Sequence, residues 1–132
     1  MEMEIVFLGA KKVEAQFKGK TITVAGLEGS KNNASDIEAL DLFFASLGLC
    51  VGKYIIEFCS TRKISCENMR VSLRTEWDEK RKMHTNVKIG IYLPVGFPEK
   101  YRKTILRIVD SCSVKKHILN PPTFETEVIT LL

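Results

Sequence analysis

The chain has 132 residues, 45% apolar and 27% charged, which describes an ordinary globular protein of one domain, residues 1–132. The net charge of +4 is scattered, and its densest cluster, Lys80-Arg81-Lys82, is flanked by Asp78 and Glu79 and reads as a solvated turn; with no basic stripe interleaved with aromatics, no nucleic-acid partner is expected. The start, Met1-Glu2-Met3-Glu4, lacks a basic signal segment, and the longest nearly uncharged run, Leu42 to Gly52, is too short to cross a bilayer, so the expectation is a cytoplasmic protein with no membrane partner.

The first ~25 residues predict a strand meander. Ile5-Val6-Phe7-Leu8 ends at Gly9; Val13, Ala15 and Phe17 alternate with Glu14 and Gln16; Lys18-Gly19-Lys20 is a turn; Ile22 and Val24 alternate with threonines. Gly26 to Ala34 reads as a loop. Ser35-Asp36-Ile37-Glu38 is a capping-box pattern and predicts a helix running to about Ser60. Between Ala39 and Cys59 only Asp41, Lys53 and Glu57 are charged, so this helix is apolar on most of its circumference and must be covered nearly all round. A chain of this size can barely do so alone, and a homodimer is expected.

Val71, Leu73, Thr75 and Trp77 alternate with polar residues, as do Val87, Ile89, Ile91 and Leu93, and Asp78 to Lys82 joins the two strands. A helix begins near Pro98 and carries Tyr101, Ile105, Ile108 and Cys112 on one stripe; the chain then re-caps at Asp110 or Ser111 and a short helix runs from Cys112 to Leu119. Phe124 to Leu131 reads as a final strand. Strands, helix, strands, helices and strand in this order predict an α+β fold.

The chemistry rests with four cysteines: Cys50, Cys59, Cys66 and Cys112. None is in C-x-x-C spacing and neither histidine has zinc-finger spacing, so no structural zinc site is expected; in a reducing cytoplasm each is a buried small hydrophobe or a reactive thiol. Cys112 opens a predicted helix and is followed by Lys115, Lys116 and His117, features that lower a thiol pKa, yet it also fits an apolar stripe. Cys50 sits mid-helix between Gly48 and Gly52 and by itself reads as a packing cysteine, with glycines that let a backbone or small ligand approach. Asp41, nine residues earlier, projects from the opposite side of an ideal helix and reaches Cys50 only through a bend or from a second subunit. Cys59 and Cys66 read as structural, and His117 as a helix-end residue.

Two segments carry a family resemblance. Asp41-Leu42-Phe43-Phe44-Ala45-Ser46-Leu47-Gly48-Leu49-Cys50 and Asp110-Ser111-Cys112-Ser113-Val114-Lys115-Lys116 together resemble the two motifs of the OsmC-like (osmotically inducible protein C and organic hydroperoxide resistance) family, in its less characterised branch. The resemblance implies an intertwined homodimer, with long central helices wrapped by antiparallel sheets. It also implies a thiol peroxidase that reduces organic hydroperoxides or hydrogen peroxide, protects against oxidative stress and needs no metal or bound cofactor. Cys50 would be the attacking thiol and Cys112 the resolving one, with Asp41 at the family's acidic position, Glu38 as its neighbouring alternative, and Lys115 and Lys116 beside the resolving thiol. An external dithiol, of lipoyl type in some members, would reduce the disulfide. Characterised peroxidases of the family hold the thiolate with an arginine from the early strands; here no arginine precedes Arg62, and Lys11, Lys12, Lys18 and Lys20 lack its bidentate geometry. That departure keeps open a redox-sensing or thiol-transfer role, or a small-ligand-binding module, on the same scaffold.

Overall fold

Alternating apolar and polar residues make three short strands of the chain's start: β1 (Glu4–Leu8), β2 (Lys12–Phe17) and β3 (Lys20–Ala25). The computed structural model describes residues 1–9, 11–25 and 36–132, so the predicted loop at 26–34 and Ser35 of the predicted capping box lie outside the described residues. The strands form an antiparallel sheet in sequence order. Lys18 and Gly19 both have positive φ (49° and 69°), as a two-residue turn between right-twisted strands requires. The register stacks Ile5 on Ala15 and Ile22, and Phe7 on Val13 and Val24, giving one apolar face. This sheet belongs to the first of two compact units, Met1–Ala45 and Ser46–Leu132. Among the described residues of the first unit none is fully buried.

Helix α1 (Ala39–Thr61) begins three residues later than its predicted start. Its cap is Glu38, whose backbone N–H donates to Asp41 Oδ2 at 2.9 Å, the return half of a capping box supplied by an aspartate. The helix ends as Thr61 Oγ1 donates to the Phe58 carbonyl (3.0 Å) and Lys63 turns to φ 55°, with the Ile64 N–H on the Cys59 carbonyl (2.9 Å). Arg62 seals this end: its guanidinium lies 3.8 Å from the Phe58 ring centroid and donates to the Phe58 carbonyl at 3.3 Å.

In the second unit α1 packs against a hairpin, β4 (Arg70–Asp78) with β5 (Met83–Tyr92), and against α2 (Arg102–Val109), which follows a 3-10 turn at Glu99–Tyr101. Val71 opposes Ile91 and Leu73 opposes Ile89, so the predicted alternation puts one face inward. The hairpin turn is held by Asp78 Oδ1, which accepts from the amides of Lys80 and Arg81 at 2.9 Å each. The core is Val51, Ile55, Phe58, Cys59, Phe97, Ile105 and Val109. Each fully buried large side chain contributes about 1.5–3 kcal/mol relative to exposure.

Within the single chain one predicted helix is covered on one side only, as expected if a second copy covers the rest, and one predicted strand is missing. Helix α1 is not covered all round: Leu47, Val51, Ile55, Phe58 and Cys59 form one buried stripe, while Leu49 is 74% exposed and Ile56 58%. The predicted final strand at Phe124–Leu131 does not form: residues 121–132 carry no regular structure and are exposed throughout. A strand needs a neighbour for its amides and carbonyls, and among the described residues none pairs with this segment. The helix that carries the Leu42 to Gly52 run is longer than the run itself. By length and composition alone, α1 at 23 residues, with a stretch of mean hydropathy 1.7, is long and apolar enough to cross a membrane. The Lys53–Glu57 pair (4.0 Å) occupies only its outer side, and the fold uses its inner stripe as a core helix.

Candidate thiol site

The α1 cysteine and the residues after α2 meet in the second unit. α2 ends at Val109, the amides of Ser111 and Cys112 fold back onto the carbonyls of Ile108 (3.0 Å) and Val109 (3.3 Å), and Cys112 becomes the cap of α3 (Ser113–Leu119) with extended dihedrals, φ −49° and ψ 124°. Cys112 is 2% exposed, and Cys50 is half-buried on α1. Both are free thiols. The Cys50 sulfur stands 3.8 Å from Ser113 Oγ, and Cys112 and the amides of Ser113 and Val114 lie near enough to act on its thiol. The cysteine pair singled out in the sequence is thus brought close enough for each thiol to affect the other's titration.

The electrostatics reverse one expectation. The predicted helix start, with its free amides, was to lower the Cys112 thiol. Instead burial and its hydrogen bond to Cys50 push the Cys112 thiol up, against the opposing amides of Lys115 and Val114. Burial also pushes the Cys50 thiol up, but the hydrogen bond from Cys112, the amides of Val114 and Ser113 and the Ser113 hydroxyl outweigh it and hold Cys50 below the ordinary cysteine range. The physical reason is direction: a thiol that donates is stabilised with its proton on, while a sulfur that accepts several donors is stabilised without it. Cys50 is therefore the readier nucleophile of the two, and the more exposed.

Of the supporting residues, Asp41 uses one carboxylate oxygen on the Glu38 amide, and Glu38 serves as the cap residue of the same turn. The Lys115 ammonium pairs with Asp110 at 2.9 Å, so what Lys115 presents to Cys112 is its amide. Lys116 contributes its backbone to α3, accepting from Asn120 and donating to the Cys112 carbonyl, both at 2.9 Å. His117 Nδ1–H donates to the Ser113 carbonyl at 2.6 Å, in keeping with a helix-end role. Cys59 is 1% exposed in the core with its thiol 4.0 Å from Met69 Sδ, and Cys66 packs on the same cluster. Ser113 was missed as a site residue; its signal was a hydroxyl directly following the cysteine at a helix start. Among the described residues no cluster of three metal-binding side chains occurs.

The family profile described as OsmC-like protein matches residues 31–127, which spans both motifs. The chain belongs to the OsmC-like family. Solved structures agree on the OsmC-like fold at low identity. A Psychrobacter arcticus protein described as an osmotic stress induced and detoxification response protein is 16% identical, with a TM-score of 0.71 over 86% of this chain and 85% of its own. A hypothetical protein of Aquifex aeolicus, 15% identical, has a TM-score of 0.71 over 91% and 87%. The organic hydroperoxide resistance protein of Bacillus subtilis is more distant, 12% identical with a TM-score of 0.50 over 89% and 90%. No curated protein matches the sequence. The OsmC-like family points to a stress-response, peroxidase-related role.

Proposed function

We propose that this OsmC-like protein is a cysteine-based thiol peroxidase, acting on organic hydroperoxides or hydrogen peroxide as a single domain, residues 1–132. The observation that carries the reading is the closeness of a half-exposed, lowered thiol, Cys50, to a buried, raised one, Cys112. The Cys50 thiolate attacks one peroxide oxygen, the O–O bond breaks, and the departing alkoxide takes a proton from water, leaving Cys50 as a sulfenic acid. The Cys112 thiol condenses with it, forming the Cys50–Cys112 disulfide and releasing water. An external dithiol of lipoyl type then reduces that disulfide by exchange and is itself oxidised. The donors that hold the Cys50 thiolate come from Cys112, Ser113 and Val114, which supports activation without an early-strand arginine.

Two features support a homodimer. The outward apolar residues of α1 and the unpaired tail, with Phe124 86% and Val128 99% exposed, are surfaces that a second copy would cover. In such an assembly the α1 helices would be central, as in intertwined relatives, and the protein would work in the cytoplasm.

The test is peroxide consumption with a dithiol reductant. Wild type should turn over cumene hydroperoxide, Cys50→Ser should be inactive, and Cys112→Ser should give one burst without turnover. After one equivalent of peroxide, peptide mapping should show Cys50 linked to Cys112. A Cys50 that reacts no faster than free cysteine would sink the peroxidase reading and favour the redox-sensing or thiol-transfer role.

A further inference from the structure

The outer face of the β4–β5 hairpin gathers three cationic side chains, two of them directly opposed across the strands. Side chains alternate along a strand. Val71 and Leu73, with partners Ile91 and Ile89, turn to the core, so Arg70, Ser72 and Arg74 share the other face with their register partners Tyr92, Gly90 and Lys88. Arg74 and Lys88 are direct cross-strand partners, and like charges so placed repel. Among the described residues none of Arg70, Arg74 and Lys88 forms an ion pair. The carboxylate on this face, Glu76, belongs to the next cross-strand pair, opposite Asn86, and flanks Arg74 and Lys88 on the side away from Ser72 and Tyr92.

The polar groups converge on one spot. Ser72 Oγ donates to the Tyr92 hydroxyl oxygen at 3.4 Å, and the Arg70 guanidinium lies 4.0 Å from the Tyr92 ring centroid. Gly90 sits between them: a Cβ there would stand 3.0 Å from Ser72 Oγ and 3.6 Å from the Tyr92 hydroxyl, so the missing side chain is what leaves this hydroxyl pair open. The Ser72 hydrogen bond, then Arg70 and, farther off, Arg74 hold the Tyr92 phenol below its ordinary range. Positive potential is focused on that oxygen.

We propose that this face binds a tetrahedral oxyanion of the phosphate type, free or as a phosphate monoester, between Arg70, Arg74 and Lys88, with the Tyr92 hydroxyl, itself held by Ser72, as a further donor. Guanidinium groups match such oxyanions with paired N–H donors, and a dianion turns the Arg74–Lys88 repulsion into attraction. α1, with Cys50, packs on the opposite side of this hairpin, so the site stands independently of peroxide chemistry.

The test uses the full chain and inorganic phosphate, titrated against chloride at constant ionic strength and followed by amide chemical shifts and by the thermal midpoint. Saturable shifts in residues 70–74 and 86–92, with a rising midpoint, are expected. Arg74→Gln should weaken phosphate binding about tenfold or more, yet leave the midpoint in chloride unchanged or raised, because a repulsion has been relieved. Gly90→Ala should also weaken binding while the hairpin amide pattern persists. Phenyl phosphate binding tighter than inorganic phosphate would identify a monoester as the ligand; equal binding would identify the free ion. Shifts that never saturate, unchanged binding in Arg74→Gln, or a lowered chloride midpoint in that variant would each overturn the proposal.

Discussion

Removing the Ser113 hydroxyl isolates one donor of the thiolate at Cys50. Ser113→Ala deletes the group 3.8 Å from the Cys50 sulfur and leaves the α3 amides and the Cys112 thiol in place. Hydrogen bonds to charged groups contribute about 1.5–3 kcal/mol at good geometry. This one is long and solvent-accessible, so ~0.5–1.4 kcal/mol is a fair range, and 1.4 kcal/mol is a factor of ten in an equilibrium. The thiolate fraction below the Cys50 pKa should therefore fall about two- to tenfold, and so should the second-order rate of alkylation or peroxide oxidation at that pH. The assay is the rate of iodoacetamide labelling of Cys50 in a Cys59→Ala/Cys66→Ala background, followed across pH. The signature is convergence: at high pH, where Cys50 is fully ionised in both proteins, the variant should match or exceed wild type. A rate ratio that stays constant across pH would show that Ser113 acts on packing, and would refute its role as a donor.

Three other outcomes follow from the same geometry. The thiol pair should titrate in two macroscopic steps, the first below and the second above the ordinary cysteine range, seen by ultraviolet thiolate absorbance and collapsing to one step in Cys112→Ala. For stability, the Cys50 contribution is present above the unfolded thiol pKa and lost as pH falls through the folded value, while that of Cys112 is present below the unfolded pKa and lost as pH rises through the folded value. Ile105→Ala, at a side chain 2% exposed in the core, should cost about 2–5 kcal/mol in urea unfolding at unchanged m-value. Deleting residues 123–132 should shift sedimentation equilibrium from twice the chain mass of 15.0 kDa toward the monomer, and a truncated protein that stays dimeric would show that the tail is not what the second copy holds.

Most of the fold was legible because each strand and helix writes its own period. Val71, Leu73, Ile89 and Ile91 showed the hairpin's inner face, and Lys18-Gly19 its own turn. What failed was a competition between neighbouring caps in one place and the lack of a distant partner in another. The start of α1 moved because Asp41, three residues into the helix, closes the cap on Glu38. The Phe124–Leu131 strand had the right composition but lacks a neighbour in its own chain. At the site, the helix opening at Cys112 was correctly read, yet local sequence could not reveal that the α3 amides and the Cys112 proton serve Cys50. Nor could it show that the Lys115 charge is taken up by Asp110. A cysteine's place at a helix start identifies available donors; which sulfur receives them is settled by tertiary contact.

The two cysteines are mounted on supports of very different stiffness. Cys50 rides in the middle of a 23-residue helix whose inner stripe is locked into the core. Cys112 sits on the joint between α2 and the seven-residue α3, held by two turn hydrogen bonds of 3.0 and 3.3 Å from Ser111 and Cys112 and by the Lys116 amide on its own carbonyl at 2.9 Å, the first rung of α3. A helix so short has little cooperative resistance to unwinding by a turn. Any shift needed to bring two sulfurs to bonding distance therefore falls on the Cys112 side. In the proposed cycle the rigid arm would fix where oxidation begins, and the compliant arm would set how fast the bond closes.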